Sequence, residues 1–472
     1  MSGRAICLQF GFSTQFKARQ PKNTHLPAII CSSIIHWVNV SLQALMTALF
    51  YFQPVIEFSR FTLPNGLRVL VHTDDSTPMA ALNVLYLVGS RDESPDRTGL
   101  AHLFEHLMFG GSAHIPDFDT PLQLAGGENN AFTNNDITNF YITLPTNNLE
   151  VAFWLESDRM LRLNFNKKVL SVQRKVVVEE FKETCLNEPY GDYLHHLSEM
   201  AYQRHPYQWP TIGKKPEHIA ETRLDEIEDF FYKHYRPNNA ILVVTGNVQE
   251  AEVKKLAEKW FGDIPSGDIP QRQLSPEPPQ SQLRRRLVEA KVPGDAIFLA
   301  FHSPGRMDPA YYASELLADI LGNGRSSRLY RKLVKEMELF TNVEAYLTST
   351  IDPGLLIVEG RPTPGTSLDQ ARAAIWQELD TLKTEGVTDV EVARLRHKAE
   401  SALIFSEMSI LNKGINLAFF EALGEPELIN REAALYSQVT AADLQQLAHE
   451  MLREENCSEL CYRALPQLEE EE

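Results

Sequence analysis

The chain reads as an α+β protein made of two similar units, and three observations carry that reading. Apolar strand patterns and helical patterns follow one another irregularly rather than in strict alternation. A stretch rich in Pro, Gln and Ser, Asp263 to Gln282, separates two sets of them. Beyond it the order of strand, helices, strands and helix begins again, as expected if both halves share one α+β unit.

The elements can be justified in order. Leu63 to Val69 (LPNGLRV) is a turn into an apolar strand, and Val84 to Ser90 (VLYLVGS) continues the strand signal. Gly126 to Thr133 (GGENNAFT) opens on a turn, and Asp136 to Leu144 alternates polar with apolar residues among many β-formers, the pattern of an edge strand. Asn238 to Asn247 is a buried strand ending in a turn, and Glu250 to Phe261 has helical periodicity. After the linker come a strand at Ala296 to Phe301, a helix from Pro309 to Leu321 and an apolar strand at Leu355 to Glu359. Thr388 to Glu391 has capping-box spacing and opens a long helix. The expected domains are a leader at 1–55, a metal-bearing unit at 56–264, a linker at 265–285, a degenerate second unit at 286–465 and an acidic tail at 466–472.

The most informative run is GLAHLFEHLMFGG, which holds His102, Glu105 and His106. Residues three and four apart share a helix face, so both imidazoles and the carboxylate point into one space. Two neutral imidazoles offer zinc two of three protein ligands, and Glu105 is placed to take a proton from water. A Glu beside the second His rather than the first is the inverted form of the zinc-protease helix motif. The bland alternative is a solvated helix face that happens to carry these residues.

These stretches resemble the pitrilysin family of inverted-motif zinc peptidases, which includes insulin-degrading enzyme and the mitochondrial processing peptidase. The likeness runs from about Phe61 to Leu452. It implies two homologous α/β-roll domains, each an antiparallel sheet packed by helices, forming a clamshell around a chamber that admits short or unfolded peptides, with the linker as hinge. It implies Zn2+ on His102, His106 and Glu180, the last within Gln173 to Phe181 (QRKVVVEEF), with Glu179 as the competing choice. It makes Glu105 the catalytic base, and it makes the strand with Asn130, Ala131 and Phe132 the substrate-binding segment, which grips a peptide backbone by strand addition. Tyr207, in HPYQWPTIG, resembles a chamber residue, although a core aromatic fits it equally.

Two departures qualify the likeness. Gln173 stands where many members have a Glu that supports the metal site from one layer out, which changes charge without removing a ligand. The Arg and Tyr that self-sufficient members place seven residues apart in the second half fall here on Val334 and Thr341. From this we expect the zinc-bearing subunit of a two-chain endopeptidase, partnered by a related subunit without the zinc motif. The alternatives are that Arg325, Arg328 or Tyr330 does that work within one chain, a self-sufficient homodimeric peptidase, a non-catalytic scaffold subunit of the same fold, and a metal hydrolase acting on something other than peptides, against which the Asn130 segment argues.

Composition agrees with a peptidase. The 472 residues, 43% of them apolar, suffice for more than one domain. A net charge of −18 argues against nucleic-acid binding and gives no attraction to an anionic membrane. The first 56 residues contain no acid but hold Arg4, Lys17, Arg19 and Lys22. A mitochondrial-type presequence, a membrane anchor across Leu26 to Phe50 broken by His36, Asn39 and Gln43, and a natural start at Met46 compete to explain them, and the Met46 start is favoured. The five cysteines, Cys7, Cys31, Cys185, Cys457 and Cys461, form no disulfide framework, and together with the lack of a secretory signal this leans towards the cytoplasm over periplasm or mitochondrion.

Overall fold

The structure is a computed structural model in which residues 55–269 and 272–466 are described. The expected leader with Met46, Cys7 and Cys31, and the Glu469 to Glu472 run, lie outside the described residues.

Two sheets share one topology. The first has the strands β1 (Ser59–Thr62), β2 (Arg68–Thr73), β3 (Met79–Tyr86), β4 (Glu128–Thr133), β5 (Thr138–Pro145) and β6 (Ala240–Gly246), in the spatial order β1-β2-β6-β3-β5-β4. The second has β7 (Arg284–Ala290), β8 (Ala296–His302), β9 (Phe340–Leu347), β10 (Leu355–Pro362) and β11 (Cys457–Ala464), in the order β7-β11-β8-β10-β9. Each sheet is antiparallel except for one parallel pair in the same place, β2 with β6 and β7 with β11. The duplicated α+β unit is therefore present, and the second unit begins its sheet at Arg284, just past the Pro-rich stretch.

Helices pack on both sheets, and all but two of them lie with the sheet of their own half. In the first half these are α1 (Leu100–Leu107), α2 (Leu149–Leu161), α3 (Lys167–Phe181), α4 (Tyr193–Ala201), α5 (Leu224–His234) and α6 (Glu250–Phe261). In the second they are α7 (Tyr311–Gly322), α8 (Leu368–Glu385), α9 (Asp389–Glu407), α10 (Ile410–Ala422) and α11 (Ala441–Met451). Period-2 burial sorts the strands: Ala80, Leu82, Val84 and Tyr86 of β3 pack with Phe104 of α1 and Phe231 of α5, whereas Ala81, Asn83 and Leu85 point the other way and are buried as well.

That second burial has a specific source, because α4 and α10 cross between the halves. Helix α10 lies on the outer face of the first sheet, where Thr245 donates to the Ile410 carbonyl at 2.6 Å and a Cβ on Gly414 would stand 3.3 Å from Thr245 Oγ1. Helix α4 lies on the outer face of the second sheet, where Leu197 and Ala201 join Phe298, Ala300, Ile357 and Leu460 in one cluster. Glu421 of α10, fully buried, holds Arg60 at 2.7 Å and Arg68 at 3.2 Å from the first half. The linker was expected to act as a hinge, but these buried contacts fasten the halves independently of it, and swinging them apart would uncover both outer sheet faces.

One local expectation is corrected. Asp136 to Leu144 is not an edge strand: β5 lies between β3 and β4, and β4 is the edge. Its alternation reports two unlike faces, Phe140, Ile142 and Leu144 under helices and Tyr141 and Thr143 partly open, which an interior strand also shows when one face is incompletely covered.

Cys457 and Cys461 sit buried on β11 and Cys185 is buried after α3, all as free thiols. Among the described residues no helix is long and apolar enough to cross a membrane.

Candidate metal centre

Helix α1 starts at Gly99, whose φ of +88° and lack of a side chain leave the first amides without a local cap. Glu93 supplies one from outside, accepting from the amides of Gly99 at 2.8 Å and Ala101 at 2.9 Å and from the Trp209 indole at 3.1 Å. Burial pushes its carboxyl up to about 8 against those three donors. Leu100, Leu103, Phe104 and Leu107 face the core, which turns His102, Glu105 and His106 to the opposite side.

There they meet α3. His106 Nε2 lies 3.3 Å from Glu180 Oε2 and 3.3 Å from His102 Nε2, and His102 Nε2 lies 3.7 Å from Glu180 Oε2. Among the described residues this is the one set of three metal-capable side chains with all donor atoms within 4.8 Å of one another. Glu179, one position earlier on α3, points away to Lys182 at 2.7 Å and is exposed. Beyond Phe181 the helix widens into a π-turn at Lys182–Asn187, and Thr184 Oγ1 donates to the Glu180 carbonyl at 2.7 Å. That turn leads into α4, so the position of Glu180 is tied to a helix seated on the second sheet.

Burial pulls His102 down to about 4, which keeps its ring neutral, the form in which an imidazole ligates. Burial also raises the Glu105 carboxyl, countered by a hydrogen bond from Thr133. For Glu180 burial pulls upward, but the hydrogen bond from His106 and the neighbouring imidazoles pull the other way, and the carboxyl lies below its usual value. Two imidazole nitrogens and one carboxylate oxygen converging on one point are a donor set that fits zinc.

The edge strand runs beside this group. Thr133, the last residue of β4, donates to Glu105 Oε2 at 2.7 Å. Asn130 is exposed, and its Oδ1 accepts from the Ala131 amide at 2.8 Å; Ala131 and Phe132 are half-buried. Gln173 is half-buried on α3, two turns before Glu180. Tyr207 is buried, with its hydroxyl on Asp136 Oδ1 at 2.5 Å, so it is a core aromatic rather than a substrate contact. Sequence reasoning passed over Thr133 and Glu93. An acid a few residues before a helix that opens on Gly was the available signal for Glu93.

A model of the insulinase family, peptidase family M16, matches residues 68–215, and one of the peptidase M16 inactive domain matches residues 223–399. The zinc protease PqqE of Helicobacter pylori is 30% identical over 346 residues, covering 71% of this chain and 77% of that protein. The chain belongs to peptidase family M16. A crystal structure of a protease from Helicobacter pylori superimposes on this M16 chain with a TM-score of 0.82 at 26% identity, covering 86% of this chain and all of that one. A probable mitochondrial-processing peptidase subunit beta of Arabidopsis thaliana is 26% identical over 357 residues, covering 73% of the M16 chain and 66% of the plant protein. The inactive-domain match falls mainly on the second half, where α7 lies between β8 and β9 as α1 lies between β3 and β4, but carries no histidine.

Proposed function

We propose that this M16 chain is a zinc-dependent endopeptidase that hydrolyses short or unfolded peptides, and that it is the zinc-bearing subunit of a two-chain enzyme. The observation that carries the reading is the convergence of His102, His106 and Glu180 beside a carboxylate, Glu105, that is hydrogen-bonded to the free edge strand β4. His102, His106 and Glu180 would hold the metal, which when bound supplies Lewis-acid polarisation of the scissile carbonyl and of the attacking water.

The chain's own residues do the rest. An extended peptide pairs with the outer edge of β4 at Asn130, Ala131 and Phe132, displacing the Asn130 side chain from the Ala131 amide. Backbone pairing accepts many sequences while requiring the substrate to be extended, hence unfolded. Glu105, its carboxyl raised by burial, accepts a proton from the attacking water and passes it to the leaving amine. Thr133 fixes the carboxylate oxygen that does not receive the proton.

A second subunit is supported by what the second half lacks. Val334 and Thr341 stand at the expected Arg and Tyr positions, and Arg328 is held in structure by Glu391 and the Gly386 carbonyl, each at 2.8 Å, so it is not available as a substitute. The name of the plant relative, a beta subunit, is consistent with pairing. The deciding experiment is cleavage of a fluorescence-quenched unstructured peptide by the zinc-loaded chain, alone and with a related subunit that lacks the zinc motif. Chelator-sensitive cleavage that needs the partner supports the whole reading. Full activity alone removes the partner, and inactivity in both states removes the peptidase.

A further inference from the structure

The turn joining β4 to β5 is gripped from two sides. On one side the amides of Ser90 and Arg91 donate to the carbonyls of Asn134 at 3.2 Å and Asn135 at 3.0 Å. The approach is so close that a Cβ on Gly89 would lie 2.4 Å from the Asn135 carbonyl carbon. On the other side is the β9–β10 turn of the second half, where the Ile351 amide donates to Asp136 Oδ2 at 2.8 Å and the Asp352 amide to the Tyr207 hydroxyl at 3.2 Å. Arg91 Nη1 bridges the two, 2.7 Å from Asp136 Oδ1 and 3.1 Å from Asp352 Oδ2, and Asp352 Oδ2 also contacts His205 Nε2 at 3.2 Å. Arg91, Asp136, His205 and Tyr207 are buried, whereas Asp352 is about a third exposed.

A buried cation between two carboxylates adds little net stability over a well-packed apolar core, but its directional bonds fix geometry. What they fix here is Asp136 in the turn that directly follows Thr133, and Thr133 holds Glu105. The second half, which among the described residues brings no ligand to the metal group, thus reaches the site through this turn.

We propose that Arg91 and Asp352 are positioning residues for the reaction: the ion pair between the halves sets the placement of strand β4 as a peptide template. The inference rests on the assignment of β4 as the peptide-binding strand made above. Through it the second half, lacking metal ligands, has a defined part in substrate binding.

The test uses the full zinc-loaded chain, with its partner if one is needed, carrying Asp352→Ala, and Asp352→Asn as the milder change that keeps size and one acceptor. Zinc stoichiometry is expected to stay at the parent value. Amide hydrogen exchange across Glu128–Thr133 is expected to quicken about ten-fold while that of β1 and β2 is unchanged. KM for an unstructured peptide is expected to rise about five-fold or more, with any fall in kcat smaller than that of Thr133→Val, Asn showing the smaller change in both. A structural defect would instead lower zinc content and every kinetic parameter together, and that outcome, or exchange and KM equal to the parent, overturns the proposal. If the parent binds a fluorescent peptide without cleaving it, the peptidase reading has failed, and the exchange rates and peptide Kd still decide this one; a parent that binds no peptide overturns both. Should the Ala variant not fold, the Asn variant carries the same readouts.

Discussion

Thr133 and Glu105 meet across a strand and a helix, hydroxyl to carboxylate at 2.7 Å, so the last residue of the edge strand holds the carboxylate that lies between the two histidines of the candidate metal centre. In the proposed function this one hydrogen bond joins the peptide-binding strand to the proton-transferring group. A hydrogen bond to a charged group contributes about 1.5–3 kcal/mol. Thr133→Val should therefore lower kcat about ten- to a hundred-fold with zinc content unchanged, and Glu105→Gln, which removes the proposed base, should cost about 10²–10⁴-fold or more. Steady-state kinetics with metal analysis checks both; a Val variant with parental kcat would show that Glu105 needs no such restraint.

Glu180 and its neighbour Glu179 offer a controlled comparison. Glu180→Gln removes a negative oxygen from the three-donor set and should weaken zinc affinity by more than the roughly 10–100-fold that loss of an outer partner costs. Glu179→Gln breaks only an exposed pair with Lys182, worth about 0–1 kcal/mol, and should leave zinc binding unaltered. Competition with a chromogenic chelator reads both. Removing zinc from the parent should also lower its melting temperature, because a ligand at 1,000 times its Kd stabilises by about 4 kcal/mol.

Because α4 and α10 are exchanged, residues 56–264 and 286–465 made as separate chains should not fold alone. Without α4, Phe298, Ile357 and Leu460 would stand uncovered, each forfeiting about 1.5–3 kcal/mol of burial. Without α10, Asn83 and Thr245 would lose their cover. Circular dichroism and thermal melts of each piece, and of the two mixed, test this; a cooperative melt from either piece alone would contradict it.

The Arg328–Glu391 pair gives a pH prediction with a definite sign. The hydrogen bond from Arg328, helped by the Thr388 capping box, holds the Glu391 carboxyl down to about 2. A carboxyl lower in the folded than in the unfolded state stabilises fully above its unfolded value near 4.5 and loses that contribution as pH falls towards 2. Relative to Glu391→Gln, the parent should be more stable by about 1 kcal/mol at neutral pH, a figure reduced for solvent screening. That advantage should be constant down to about pH 5 and shrink below it, as urea denaturation at stepped pH would measure. An advantage growing towards acid would reverse the assignment.

The sequence by itself determined the α+β class, the repeated unit and the one helix face that carries His102, Glu105 and His106. All of these are local: a helical period, a strand period or an i,i+4 spacing is complete within a few turns of chain. Helix α6 and the capping box at Thr388 were legible for the same reason. Only the tertiary structure decided that β4 and not β5 is the edge, that Glu180 and not Glu179 faces the histidine pair, and that each half lends a helix to the other's sheet. It alone revealed Thr133 on Glu105 and Arg91 on Asp352, contacts between residues 28 and 261 positions apart. Alternating burial in a strand states that its two faces differ without naming what covers them, and a polar side chain carries no mark of a distant partner. Which surfaces meet is settled when both sheets bury their outer faces together, and that choice belongs to the whole chain.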